Sequence, residues 1–226
     1  MSSLLTRHFE DLPGILQICI GTSTKPGLIA YFDDDILAMI NMFAKTCKKF
    51  LEYDPLRCYY FRVVLTKKYG VNFDDSRVIL DGKNIRDEDL QNISEALKAN
   101  NTITYLDLDN NNVTDVQSIG ELLKTNHTLT RLSLRNNNIT DVQSIGEGLK
   151  TNNTLATLFL HNNNITDGGG IQSIIEALKT NNTLRHLDLR NNQLSDNMIS
   201  QSKAIQQYKK DGSNGYKQVK SMVILI

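Results

Sequence analysis

The sequence contains no tryptophan, only three cysteines and three prolines, and no long apolar run. No stretch reaches the roughly 18 apolar residues that a membrane-spanning helix needs. The apolar run at residues 15–20 is short and follows two acidic residues, so we expect no signal peptide and a cytoplasmic location. The three cysteines form no C-x-x-C pair, which indicates buried or free thiols in a reducing compartment.

Neither sign of charge dominates, because 25 basic and 25 acidic residues give a net charge of zero. This balance argues against a general binder of nucleic acid or of acidic membranes. The sequence also lacks a G-x-S-x-G element, a phosphate-binding loop, an H-E-x-x-H helix and paired metal-ligand spacing. We therefore expect no enzymatic activity, no metal and no cofactor.

The sequence is instead dominated by an internal repeat. Ile103, Leu129, Leu155 and Leu184 each open a block of the form L-x-x-L-x-L-x-x-N-x-[IVL], in steps of 26, 26 and 29 residues. We assign the three extra residues of the last step to the glycines at 168–170. Leucines at alternate positions predict a short strand with one buried face in each block. A fixed period of this length is typical of a solenoid.

One asparagine in each block is predicted to be buried at the point where the strand ends. A buried amide both donates and accepts, so a stacked column of asparagines would satisfy the backbone groups that the turn leaves unpaired. A Thr-Asp or Ser-Asp pair then supplies helix N-cap residue types, and apolar residues at helical spacing predict a helix. The column consists of Asn111, Asn137, Asn163 and Asn192.

From about Asp75 to Lys210 these residues resemble leucine-rich repeats of the ribonuclease-inhibitor-like class, which have a full helix per repeat. The resemblance implies an α/β fold: a leucine-rich-repeat solenoid with a curved parallel sheet and outer helices. Residues 78–85 fit a divergent first repeat, and residues 219–226 fit a terminal strand that covers the open edge. We assign residues 75–226 to this domain, with about five repeats and a C-terminal cap strand.

Residues 1–74 contain no repeat, and their apolar spacing predicts an all-helical N-terminal cap over the first repeat. An F-box-like domain is the other interpretation, because L-P-x-x-I-L, T-C-K-x-F and D-P-L elements resemble those of the F-box family. This resemblance implies binding to a Skp-type ubiquitin-ligase adaptor. The implied adaptor-binding residues are Leu12, Pro13, Ile15, Leu16, Cys47, Phe50, Pro55 and Leu56.

The predicted partner-binding surface is the concave face that the strands line. Tyrosine and arginine are typical interface anchors, and Phe159 has no evident structural reason to stand at a solvent-facing position. Acids toward the N-terminal repeats and bases toward the C-terminal ones predict a partner with the complementary charge gradient. The predicted contact residues are Tyr105, Asp107, Asp109, Arg131, Ser133, Arg135, Thr157, Phe159, His161, His186, Asp188 and Arg190.

The sequence therefore predicts a non-enzymatic module that binds a folded protein on its concave face. Its Asn-rich repeats with K-T-N-N-T-L turns resemble leucine-rich-repeat effectors of intracellular bacteria, notably the Legionella-type ones. That resemblance implies secretion into a host cytosol. The alternative is an F-box-type substrate receptor, in which residues 9–60 bind the adaptor and the repeats bring a target to a host ubiquitin ligase.

Overall fold

The computed structural model describes residues 65–71, 76–98, 100–211 and 223–226. Within these ranges a parallel sheet of six strands runs in strict chain order. One strand per repeat, paired with the strand of the next repeat, is the arrangement that a solenoid requires. The strands are β1 (Arg77–Ile79), β2 (Tyr105–Asp107), β3 (Arg131–Ser133), β4 (Thr157–Phe159), β5 (His186–Asp188) and β6 (Val223–Leu225).

A helix follows each of the first five strands and carries the chain back to the start of the next one, as parallel pairing demands. The predicted leucine-rich-repeat solenoid of the α/β class is thereby confirmed. The helices are α1 (Asp87–Lys98), α2 (Gln117–Thr125), α3 (Gln143–Thr151), α4 (Gln172–Thr180) and α5 (Asp196–Asp211).

The three extra residues of the last repeat step lie in an irregular turn, Asp167–Ile171, directly before α4, in which Gly169 and Gly170 are not helical. Gly170 has a φ of 73° there, a conformation that residues with a side chain rarely adopt. A Cβ atom at this position would also lie 2.3 Å from the backbone nitrogen of Gln143. The turn therefore requires glycine at this position for two independent reasons.

The core is the layer between the sheet and the helices. Leu132 and Leu134 project into it from the β3 region, Ile145 and Leu149 come from α3, and all four have no exposed surface. Each such side chain stabilises the fold by roughly 1.5–3 kcal/mol through removal of apolar surface from water. Alternate strand residues and one helix face therefore supply the core, as the two spacings in the sequence predict.

The predicted asparagine column is present, with its first three members buried and Asn192 half-buried, and each member bonds to the backbone of the preceding repeat. The Asn137 side-chain oxygen accepts the Val113 N–H at 3.1 Å, and its amide nitrogen donates to the Leu108 carbonyl at 3.0 Å. Asn111, Asn163 and Asn192 make the equivalent bonds. The column therefore joins the repeats to one another as well as satisfying their turns.

A second asparagine column closes the other side of the repeats, where the sequence pattern indicates only turns. The Asn126 amide nitrogen donates to the Leu97 carbonyl at 2.8 Å, and its side-chain oxygen accepts the Leu129 N–H at 2.8 Å. Asn152 and Asn181 repeat this pattern in the next two repeats. Both ends of a repeat are thus tied to the neighbouring repeat by buried amides.

The start of α2 differs from the sequence prediction, which gave the N-cap to the Thr-Asp pair. Val116 occupies the N-cap position and makes no side-chain cap. Asp115, one residue earlier, accepts the Gln117 N–H at 2.8 Å, and Asp141 does the same before α3. The aspartate still satisfies a free N–H of the first turn, so the prediction had the right chemistry and a position shifted by one residue.

Only the end of the predicted N-terminal cap lies within the described residues. Residues 65–69 are helical, and the helix ends at Gly70, where φ is 68° and the N–H bonds to the Thr66 carbonyl. Leu65 is buried in the core of the repeats, and Tyr69 packs against the same core. The domain boundary at residue 74 stays a prediction. The adaptor-binding residues proposed from the sequence, from Leu12 to Leu56, lie outside the described residues.

We expect Asn137→Ala to destabilise the protein by about 1–3 kcal/mol for each backbone group left unsatisfied, because the site is buried and dry. The neighbouring Asn138→Ala is the matched control, since that side chain is exposed. Urea unfolding of the full chain measures both variants. Equal midpoints for the two variants would show that the column does not carry the stability assigned to it here.

Candidate protein-binding site

The strand face is the side of the sheet opposite the helices, and its residues fall into three rows. The register of β1 to β5 aligns the first two rows, and the third row follows two residues later along each repeat. The first row is Arg77, Tyr105, Arg131, Thr157 and His186. The second is Ile79, Asp107, Ser133, Phe159 and Asp188, and the third is Asp81, Asp109, Arg135, His161 and Arg190.

Arginines and aromatic rings alternate across β1 to β4. The guanidinium carbons of Arg77 and Arg131 lie 5.1 and 4.9 Å from the Tyr105 ring centre. Arg131 also lies 4.8 Å from the ring centre of Phe159. We call these four side chains, Arg77, Tyr105, Arg131 and Phe159, the arginine–aromatic row. The first three belong to the first of the three rows above, and Phe159 belongs to the second. Cation–π contacts of this kind contribute about 0.5–1 kcal/mol each at exposed sites, so they hold these side chains in order.

The Tyr105 hydroxyl donates to the Asp107 carboxylate at 2.7 Å. Burial raises the pKa of the Tyr105 phenol, and the bond to Asp107 adds to this effect, which brings the pKa to about 12. Tyr105 is therefore a neutral side chain at physiological pH, with its ring half-exposed and its hydroxyl already bonded.

Asp109 is buried, and the hydrogen bonds that its carboxylate accepts come from the next repeat. One carboxylate oxygen accepts the Ser133 hydroxyl at 2.6 Å and the Arg135 N–H at 2.8 Å. The other oxygen binds the Arg135 guanidinium. The bond to Asp109 raises the pKa of Arg135. A carboxylate that is 1% exposed needs such partners, because an unpaired buried charge is strongly destabilising.

Asp188 forms the corresponding pair at the other end of the face. Its oxygens accept the Arg190 Nε and Nη2 hydrogens at 3.0 and 2.7 Å. The His161 Nδ1 atom lies 3.0 Å from the same carboxylate. Burial alone would raise the pKa of Asp188, but the bonds from Arg190 and the nearby His161 lower it below its usual value.

Four of the predicted contact residues are therefore buried beneath the face: Asp107, Asp109, Ser133 and Asp188. Arg131, His186 and Arg190 are exposed, while Tyr105, Arg135, Thr157, Phe159 and His161 are half-buried. The charge gradient predicted from the sequence is consequently not what the surface offers. The acidic part of that gradient is largely buried, because Asp107 and Asp109 accept hydrogen bonds from the side chains and backbone around them.

A third set of asparagines, which the sequence analysis missed, borders the strand face. Asn110, Asn136, Asn162 and Asn191 have φ between 51° and 56°, a left-handed conformation that asparagine tolerates better than most residues. The Asn136 side chain donates to Asn110 at 2.7 Å, and Asn191 donates to Asn162 at the same distance. The signal for this border was the N-N-N triplet in three of the blocks.

Within the described part of the chain, no group of histidine, cysteine, aspartate and glutamate residues has an arrangement that could hold a metal ion. No helix among the same residues is long and apolar enough to span a membrane. The chemistry that this face offers is therefore that of its side chains: stacking, apolar contact and hydrogen-bond donation.

Comparison with known proteins agrees with this geometry. The leucine-rich-repeat family profile matches residues 99–116, 125–142 and 180–197, each of which contains one strand and the asparagine turn after it. These segments are leucine-rich repeats, and the described part of the chain has the leucine-rich-repeat fold. A search of curated proteins finds no significant match to the chain.

Solved structures with the same fold include the actin-binding site 2 of leiomodin-1, at 26% identity and a TM-score of 0.53. The alignment covers 66% of this chain and 88% of that one. The tropomodulin C-terminal domain of Caenorhabditis elegans matches at 15% identity and a TM-score of 0.50, over 64% and 90% of the two chains. An internalin of Listeria monocytogenes matches at 18% identity and a TM-score of 0.34, over 60% and 36%.

We expect Asp188→Asn to lower stability at neutral pH by about 1–3 kcal/mol, because a buried hydrogen-bonded charge is lost. The folded pKa of Asp188 lies below the unfolded value of about 3.9, so its contribution is present above that pH. It disappears as the pH falls through the folded pKa. Urea midpoints of wild type and variant should thus approach each other as the pH falls below about 3.9 and the Asp188 carboxylate becomes protonated.

The control for this prediction is Asp81→Asn, which removes an exposed charge from the same face. It should change the urea midpoint little at any pH, since surface substitutions stay within roughly 0.5 kcal/mol. If the difference in urea midpoint between wild type and Asp188→Asn stays constant on acidification, the role given to the Asp188 carboxylate is wrong.

Proposed function

We propose that the strand face binds a folded protein and that the chain acts through this binding rather than through catalysis. The observation that carries the proposal is the arginine–aromatic row. Its two rings are partly exposed, and in the isolated chain their contacts with the arginines contribute only about 0.5–1 kcal/mol each, less than burial of the rings would. Tyrosine and arginine are also the residue types in which interface binding energy concentrates.

The scaffold under this row supports the proposal. Leucine-rich-repeat proteins use the extended surface of their stacked strands for binding. The buried asparagine columns and the asparagine border fix the strands that carry the row, so little side-chain or backbone ordering is left to oppose association. The leiomodin-1 structure is described as an actin-binding site, and its similarity makes actin the first candidate partner to test.

We expect Tyr105→Ala combined with Phe159→Ala to weaken partner binding about tenfold or more, because each ring is an interface anchor. The full chain is immobilised and tested against purified actin and against lysate, and the affinity of the captured protein is then measured. The matched control is Lys124→Ala with Lys150→Ala, which removes two exposed side chains from the outer helices.

Circular dichroism and urea unfolding would show that both double variants are folded. If the captured protein binds the Tyr105/Phe159 variant as tightly as wild type, the strand face is not the binding surface.

Two finer proposals rest on the sequence resemblances alone. A role as a secreted bacterial effector in a host cytosol is supported by the Asn-rich repeat turns. Recruitment of a ubiquitin ligase is supported by the F-box-like elements between Leu12 and Leu56. The second is tested by complex formation between the full chain and a purified Skp-type adaptor, which should not depend on Tyr105 or Phe159.

A further inference from the structure

Two arginines of the strand face differ from the other two. Arg135 and Arg190 each bind a buried aspartate. Among the residues that the structure describes, Arg77 and Arg131 have no carboxylate partner, and their contacts are with the rings of Tyr105 and Phe159. Both side chains are exposed.

A guanidinium group that stacks on a ring still has its N–H groups available. It carries five donors, and stacking uses its flat face rather than these hydrogens. A free guanidinium in solution loses rotamer freedom when it binds a carboxylate. Here the rings already restrict Arg77 and Arg131, so less of that entropy is lost on binding.

The formal charges of the three rows balance, since they contain four arginines and four aspartates. These charges lie at different depths, however. Asp107, Asp109 and Asp188 are between 1% and 8% exposed, and all three accept hydrogen bonds from neighbouring residues. The hydrogen-bonding groups that the centre of the face presents to a partner are therefore mainly donors.

We propose that the partner presents an acidic segment whose carboxylates bind Arg77 and Arg131, with contact to the Tyr105 ring between them and to Phe159 beyond Arg131. This inference rests on the proposed function and adds the chemistry of the partner. Both guanidinium carbons lie within 5.1 Å of the Tyr105 ring centre, so they are no more than about 10 Å apart. Their strands, β1 and β3, are two strand spacings apart, roughly 9.6 Å. Two acidic residues seven positions apart on a helix, roughly 10.5 Å along its axis, come within about 1 Å of this spacing.

A protein partner fits this arrangement better than a nucleic acid or an anionic membrane. Polyanion binders neutralise many phosphates with many cations, whereas this row offers two guanidinium groups that have no carboxylate partner among the described residues. The exposed Asp81 stands at the same edge as Arg77 and would repel a continuous polyanion. Arginine binds a single carboxylate through two parallel hydrogen bonds, which suits separate acidic side chains.

The test uses the full chain and a labelled helical peptide of roughly 20 residues, long enough to form a helix alone. The peptide carries glutamates seven positions apart, and the control peptide has glutamine at those positions. Fluorescence anisotropy is measured in about 0.15 M salt, where exposed charges beyond about 8 Å are screened. We expect the glutamate peptide to bind about tenfold or more tightly than the glutamine peptide.

Three single variants test the assignment to the row. Arg131→Gln should weaken binding of the glutamate peptide about tenfold or more. Arg131→Lys should bind more tightly than Arg131→Gln but less tightly than wild type, because lysine keeps the charge and lacks the planar pair of donors. Arg86→Gln is the control, since Arg86 is equally exposed but lies in the turn before α1. An equal effect of Arg86→Gln, or none of Arg131→Gln, would overturn the inference.

Two further outcomes would also overturn it: tighter binding of heparin or of anionic vesicles than of the glutamate peptide, and no discrimination between the two peptides. The inference and the proposed function can fail separately. If a captured protein depends on Tyr105 and Phe159 but not on Arg131, the strand face is a binding surface for a partner of other chemistry. If capture does not depend on the two rings, the proposed function itself fails.

Discussion

The asparagine column, with one member in each repeat from β2 to β5, is the constraint on which the rest of this structure depends. A chain that leaves a strand and turns toward a helix exposes backbone donors and acceptors to a dry interior, where each unpaired group costs about 1–3 kcal/mol. Asn137 meets this demand with one amide that bonds across two repeats. Since every repeat needs its neighbour for these bonds, the strands stack in one register.

That register determines which side chains meet on the strand face. Because residues 26 positions apart become direct neighbours, Arg131 lies beside Tyr105 and Arg135 reaches back to Asp109. Phe159, the direct neighbour of Ser133, contacts Arg131 diagonally from β4. The face is thus built in two levels. Carboxylates lie beneath and are bonded to neighbouring residues, whereas guanidinium groups and rings lie above and are open to contact.

The sequence predicted those features that each repeat determines locally. Strand and helix periodicity, the Asn137 column, the glycine insertion and the pairing of β6 with β5 all follow from spacing along the chain. The burial of Asp109 could not be read in the same way, because its bonding partners belong to the next repeat. The second column, represented by Asn126, was missed for a related reason: an asparagine in a turn is common whether or not it is buried.

This two-level arrangement also shows why the charge composition of the chain says little about its partner. A net charge of zero counts Asp109 and Asp188 equally with Arg77 and Arg131. A binding partner does not interact equally with these two kinds of group. A carboxylate whose oxygens already accept hydrogen bonds has few acceptor sites left for the partner, whereas an exposed guanidinium has several donors. Selectivity on such a face depends on which polar groups remain unbonded at the surface. A neutral chain can therefore present a surface of hydrogen-bond donors, ordered by the aromatic rings beside them.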